Sequence, residues 1–281
     1  MRDADVDLYT YERLYKEFGP FTESLPEQFP APVERELVGE GYKRILTEMA
    51  KIAGYQWQQH LERSALKGFL LYGAVGVGKT TMAKRLTYEL CRVMGDTGPS
   101  IERQNEVVML LVDGADIARG RYGDTEEQLR DLFAYARDGQ AGAHHRHDDD
   151  PMRRTVVLFD DVESLFLTRG SSGAKEWHFS QNSVFFHNID DLDTAHTMVV
   201  LTTNRVDLLD EAIVDRFVPY EFGVPEANVL EQVAREKARL QQLSEPELEP
   251  VLQRVRAGGV QSIRDVERMV MRAFVDKVVS I

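Results

Sequence analysis

The run Gly73-Ala74-Val75-Gly76-Val77-Gly78-Lys79-Thr80 fits the pattern G-x-x-x-x-G-K-[ST]. Glycines at this spacing let successive backbone N–H groups curl around phosphate oxygens. A helix beginning just after them adds its positive dipole end. Lys79 is placed to reach the β- and γ-phosphates of a nucleoside triphosphate, and Thr80 to ligate Mg²⁺. Gly73, Val75, Gly76, Val77, Gly78, Lys79, Thr80 and Thr81 are therefore the expected nucleotide-binding residues. A second chemical group is Asp160-Asp161, which ends the apolar run Thr155-Val156-Val157-Leu158-Phe159. A carboxylate at a strand's C-terminal end can hold the Mg²⁺ of ATP, which suits Asp160. Asp161 would orient or deprotonate the attacking water. Glu163 is close in sequence and is expected on the following helical turn. Asn204 follows the apolar run 197–203, which would bring its amide near the γ-phosphate. Arg216 ends the segment Asp210-Glu211-Ala212-Ile213-Val214-Asp215-Arg216 and could reach a phosphate in a neighbouring subunit.

These groups need strands to carry them. Gly68-Phe69-Leu70-Leu71-Tyr72 precedes the glycine loop, and Thr81-Met82-Ala83-Lys84-Arg85-Leu86 opens a helix with no breaker before Gly95. Further strands are expected at 106–113, 155–161, 197–204 and 218–224, the last at an edge because Pro219 removes a donor. Helical spacing joins Leu46, Met49, Ile52 and Ala53, and again Leu129, Leu132, Phe133 and Ala136. Thr125-Glu126-Glu127-Gln128 reads as a capping box ahead of the second of these. Apolar strands alternating with helices imply an α/β fold, with a parallel five-stranded sheet flanked by helices. Beyond Pro225 three helices are expected, at about 226–241, 245–257 and 262–279, with Ser262-Ile263-Arg264-Asp265 capping the last. The domain organisation expected is an N-terminal extension or linker over 1–34, a large α/β domain over 35–224 and a small helical lid over 225–281.

Composition narrows the partners. The chain has 281 residues, 43% of them apolar, and a formal net charge of −13. That charge weighs against a general nucleic-acid binder. A single cysteine, Cys91, excludes an internal disulfide and suits a cytoplasmic protein; it reads as a small core residue. Asp3, Asp5 and Asp7 leave no apolar core for a signal peptide, and no apolar run is long enough to span a bilayer. The loop His144-His145-Arg146-His147-Asp148-Asp149-Asp150 holds metal-ligating side chains, but its aperiodic surroundings favour a solvated loop over a metal site.

Over residues 35–281 the chain resembles the AAA ATPases, of the broader AAA+ class of P-loop NTPases. Gly73 to Thr80 matches their Walker A motif and Leu158-Phe159-Asp160-Asp161 their Walker B motif. Thr202-Thr203-Asn204-Arg205 resembles the sensor-1 segment, and 209–217 the second region of homology with Arg216 as arginine finger. Ser262-Ile263-Arg264 stands where such ATPases place sensor 2, which makes Arg264 a nucleotide contact. Arg119 to Glu126 resembles the pore loop, in which Tyr122, with Arg121 beside it, would grip a threaded polypeptide. Trp177 and His178 fall in the region of the second pore loop. Within the family the chain resembles the pachytene-checkpoint ATPases, which remodel HORMA-domain proteins. Phe159 to Leu165 and Val214-Asp215-Arg216 resemble theirs.

The resemblance implies a ring, a hexamer in the family, with ATP and Mg²⁺ bound between large domain and lid. It also implies a protein substrate pulled through the pore. Asp161 stands where most relatives have Glu. A side chain one methylene shorter implies slower hydrolysis, since about 1 Å of misplacement can cost on the order of 100-fold. Two alternatives follow: a nucleic-acid loader or translocase gripping phosphates with Arg119 and Arg121, and an ATP-stabilised scaffold that barely hydrolyses. Arg216 has no second arginine before Pro225, unlike many relatives, and 1–34 is short for a folded substrate-binding domain.

Overall fold

The apolar strands divide their side chains between two cores, one on each face of a sheet. Leu70, Val108, Leu110, Val112, Val157, Phe159, Val199 and Leu201 join one buried cluster. Their neighbours Phe69, Leu71, Val107, Met109, Val156, Leu158, Met198 and Val200 join the other. Alternation along a strand sends successive side chains to opposite faces, so runs apolar at every position need cover on both. A computed structural model describes residues 21–24, 39–64, 66–94, 107–113, 124–137, 154–166 and 176–279.

Five parallel strands form the sheet: β2 (Gly68–Gly73), β3 (Val107–Asp113), β4 (Arg154–Asp160), β5 (Thr197–Thr203) and β6 (Val218–Phe222). Helices α1 (Glu40–Gln58) and α2 (Lys79–Val93) supply Leu46, Met49, Ala53, Met82 and Leu86 to one face. Helices α3 (Asp124–Arg137) and α4 (Glu176–Asp190) supply Leu129, Phe133, Phe185 and Ile189 to the other. On that second face Phe159 meets Phe185 edge-on, with ring centroids 5.5 Å apart. This aromatic contact, worth about 0.5–1.5 kcal/mol beyond simple burial, pins the end of β4 from which Asp160 emerges.

The order β1-β3-β4-β5-β2-β6 contains a sixth strand absent from the sequence expectation. Phe21–Ser24, in the stretch read as an extension or linker, is β1, antiparallel to β3 in the register Phe21↔Val112 to Ser24↔Met109. Four residues between Pro20 and Pro26 are too short to show a period; the unpaired edge of β3 creates the strand. β6, with Pro219, lies at the other edge as expected.

A one-turn helix, α5 (Glu211–Val214), is capped by Asp210, whose carboxylate accepts from the Ala212 N–H at 3.0 Å. After β6 come α6 (Ala227–Leu240), α7 (Glu245–Arg256) and α8 (Ile263–Val279). They share a core of their own that includes Leu230, Ala234, Leu252, Val266 and Val270. Ser262 caps α8, its Oγ accepting from the Asp265 N–H at 3.1 Å. Among the described residues no helix is long and apolar enough to cross a membrane. The Cys91 side chain and the His144–Asp150 loop lie outside what is described.

Candidate nucleotide site

The glycine loop leaves β2 and enters α2, so the loop is anchored by a buried strand and a helix N-terminus. A cleft of about 470 Å³ opens above it. Its walls include Val75, Gly76, Gly78, Lys79, Thr80 and Thr81 from the loop, and Asp160, Asp161 and Asn204 from the ends of β4 and β5. Val233, Lys237 and Arg264 line it from α6 and α8. Apart from Gly73 and Val77, the residues singled out at the loop, Walker B, sensor 1 and sensor 2 therefore converge on one cleft. Val77 itself is fully buried beneath the loop, and its carbonyl accepts from the Tyr42 hydroxyl at 3.0 Å.

Gly76 seats α8 on the loop. Its carbonyl accepts from the Arg264 N–H at 3.2 Å. Its φ of +78° favours glycine, and a Cβ there would lie 2.7 Å from the Cβ of Arg264.

Thr80 Oγ1 donates to Asp160 at 2.9 and 3.1 Å for the two carboxylate oxygens. The Thr202 hydroxyl also donates to Asp160 Oδ1. A hydroxyl and a carboxylate side by side are the hard oxygen donors that Mg²⁺ takes. The glycine cradle has the open backbone a triphosphate needs. The residues present thus fit both Mg²⁺ and ATP.

Lys79 is almost fully buried. Its Nζ donates to the carbonyls of Gly73 (3.0 Å) and Ala74 (2.9 Å) and to Asn204 Oδ1 (2.8 Å). Burial pulls its pKa down and the Arg264 charge adds to this, while Asp161, Glu163 and Asp160 oppose it. Asp161 occupies the left-handed region, φ 52° and ψ 53°. Its N–H donates to Thr202 Oγ1 at 3.1 Å, and its Oδ1 accepts from Asn204 Nδ2 at 2.9 Å. Withdrawal from water raises its pKa, helped by the charges of Asp160 and Glu163 and opposed by Asn204 and Lys79.

Glu163 lies on a single 3₁₀ turn, Val162–Ser164, and reaches back to the end of β5. It accepts from Thr203 Oγ1 (2.8 Å), the Asn204 N–H (3.3 Å) and Asn204 Nδ2 (3.2 Å). Its sequence position sets it on this turn but signals no role. Its proximity to Walker B was the one available signal.

Arg216 stands apart; it is not among the residues lining the cleft. It forks onto Asp190 at the end of α4 and donates through Nη1 to the Ala212 carbonyl at 2.9 Å. Arg121 and Tyr122 lie outside the described residues. Trp177 and His178 fall in the first turn of α4, with their side chains outside the description.

A family model described as "ATPase family associated with various cellular activities (AAA)" matches residues 69–223, more than half of the chain. A proteasome-associated ATPase of Jonesia denitrificans is 32% identical over 150 residues, 53% of this chain and 26% of that protein. An "AAA ATPase forming ring-shaped complexes" of Rothia mucilaginosa is 29% identical over 209 residues, 68% of this chain and 33% of that protein. The chain thus spans about a quarter to a third of the length of these curated relatives. Among solved structures, the FIGL-1 AAA domain aligns with a TM-score of 0.66 at 18% identity, covering 96% of this chain and 79% of that one. A chain of the HORMA:CdnC:Trip13 complex of E. coli MS115-1 aligns with a TM-score of 0.57, also at 18% identity, covering 84% and 80%. At that identity the likeness is one of fold. The family match, the sheet order and the convergent cleft agree: the chain belongs to the AAA family of ATPases.

Proposed function

We propose that this chain is a ring-forming ATPase that uses ATP hydrolysis to remodel or partly unfold a protein substrate. The observation that carries the reading is the split between two sets of residues. Thr80, Asp160, Lys79, Asp161 and Asn204 meet in one cleft roofed by the C-terminal helices, while Arg216 is held outside it on Asp190. A finger turned away from its own cleft suits a site completed by a neighbouring copy. Relatives described as forming ring-shaped complexes support that arrangement.

In this reading residues 35–224 form the catalytic body, 225–281 the lid, and 1–34 an extension whose Phe21–Ser24 strand belongs to the sheet. Gly73, Val75, Gly76, Val77, Gly78 and Thr81 shape the phosphate cradle, and Arg264 closes it from the lid. Lys79 neutralises phosphate charge. Thr80 and Asp160 would hold Mg²⁺, which would supply charge neutralisation to the triphosphate. Asp161 orients water and accepts its proton, and Asn204 positions both. Arg216 of one subunit stabilises the charge that develops in the next. Lid movement would draw Tyr122 and Arg121 along the pore. In this scheme the ring is a hexamer, the substrate HORMA-like and the setting cytoplasmic. The fold likeness to the chain of the HORMA:CdnC:Trip13 complex favours that substrate class over nucleic acid.

The test is turnover as a function of assembly. Specific activity should rise with protein concentration as rings form. Arg216→Ala should still bind ATP and assemble, yet lose on the order of 10³-fold in turnover. A ring-forming Arg216→Ala protein with full activity would sink the reading. One observation favours a slower, scaffold-like variant: the Asp161 carboxylate is tied to Asn204. Absence of turnover under ring-forming conditions would select it.

A further inference from the structure

Glu163 belongs to none of the roles above, yet it accepts three hydrogen bonds from the sensor segment, from the Thr203 hydroxyl, the Asn204 N–H and Asn204 Nδ2. We propose that Glu163 is a positioning residue for hydrolysis: it clamps Asn204 so that one amide faces Lys79 and Asp161 together. This rests on the ATPase reading.

The chemistry of the neighbours fixes the orientation of the amide. Lys79 can only donate, and an ionised carboxylate can only accept. Asn204 Oδ1 therefore faces Lys79 Nζ at 2.8 Å, while its NH₂ faces Asp161 Oδ1 at 2.9 Å and Glu163 Oε1 at 3.2 Å. A flipped amide would set oxygen against two carboxylates and NH₂ against an ammonium. Both amide protons and the amide oxygen are engaged.

The two carboxylates hold Asn204 differently. Asp161 accepts from its Nδ2 in an exposed position. Glu163 has two, one to the side chain and one to the backbone N–H, both part-buried, and a third to the adjacent Thr203 hydroxyl. Thr203 is itself fully buried at the end of β5. Glu163 is thus the fixed partner and Asp161 the releasable one. When Asp161 leaves Asn204 for a water, Glu163 keeps the amide in place.

The test is a double-mutant cycle in the full chain under ring-forming conditions, read by steady-state kcat and KM and by binding of a fluorescent ATP analogue. Glu163→Ala should lower kcat by roughly 10–100-fold, the range for losing a partner that orients a functional side chain, with KM and analogue affinity within about threefold. Glu163→Gln, which keeps an acceptor toward Asn204, should recover most of that loss. In an Asn204→Ala background, Glu163→Ala should cost little more, because residues acting as a unit are non-additive. Losses that multiply in the double variant, or a Glu163→Ala protein with the parental kcat, would overturn the proposal while leaving the ATPase reading intact. Absence of turnover in the parent chain would overturn both.

Discussion

Arg216 and Asp190 meet through two parallel hydrogen bonds, Nε to Oδ1 at 2.9 Å and Nη2 to Oδ2 at 3.0 Å. The guanidinium also lies over the Phe186 ring, 4.7 Å from its centroid. The Arg216 hydrogen bond holds the Asp190 carboxyl below its ordinary range. A depressed carboxylate pKa means the pair contributes above the unfolded-state value of about 3.9. That contribution is lost as pH falls through the native value. Asp190 is exposed and Arg216 partly so, and the pair's worth is about 0.2–1 kcal/mol. Asp190→Asn should lower the melting temperature slightly at pH 7. The gap should close under acid conditions, below the native pKa, as thermal unfolding across pH would show.

Removing the P-loop cation should abolish nucleotide binding while sparing the fold. Lys79 balances Asp161, Glu163 and Asp160 from a nearly buried position. In Lys79→Ala these carboxylates face one another without it. ATP should no longer raise the melting temperature, whereas saturating ligand at about 100 times Kd adds about 2.7 kcal/mol to the parent chain. A thermal-shift titration measures the difference.

Two glycines should fail in different ways. A Cβ on Gly68 would sit 1.7 Å from the Val199 carbonyl oxygen, inside the β2–β5 ladder. Gly68→Ala should destabilise the whole protein by roughly 4 kcal/mol or more. Gly76→Ala meets the Arg264 side chain instead and carries a strain of about 1–3 kcal/mol at its positive φ. It should lift α8 off the loop and weaken ATP binding at least tenfold, with the sheet intact by circular dichroism.

Asp161 should tolerate Asn better than Glu. Its left-handed backbone suits Asp and Asn, whose short side chains are enriched there. Asp161→Asn should keep ATP affinity and melting temperature close to the parent while turnover falls below detection. Such a form is suited to trapping a substrate by pull-down. Asp161→Glu should be less stable by a few tenths of a kcal/mol to about 1 kcal/mol. Whether its turnover exceeds the parent's decides between the fast and the scaffold-like readings.

The sequence made the strands, the glycine loop and the three C-terminal helices legible because each carries a local signal. Continuous apolar runs marked 107–113 and 197–203, and Ser262 with Asp265 marked the start of α8. Contacts across long separations left no such mark. Glu163 and Asn204 are 41 positions apart and Asp190 and Arg216 are 26 apart, so neither pair shares a period or a motif. Lys79 resting on Asn204 was equally hidden, because the motif describes the lysine by its phosphate contact. The segment 21–24 was hidden because its partner strand, not its own composition, makes it a strand.

That short strand has a practical meaning for anyone trimming the chain. The sheet shields its two margins by unlike means. At β6 the chain uses chemistry, with Pro219 lacking an N–H and Glu221 facing solvent. At β3 it uses a splint, four residues borrowed from a segment that motif boundaries alone would discard. A preparation starting at residue 35 would bare the apolar run Val107–Val112 along an open margin, the geometry that recruits another chain. Such a truncation should keep the nucleotide cleft and yet precipitate, and a version restored from residue 21 should stay in solution.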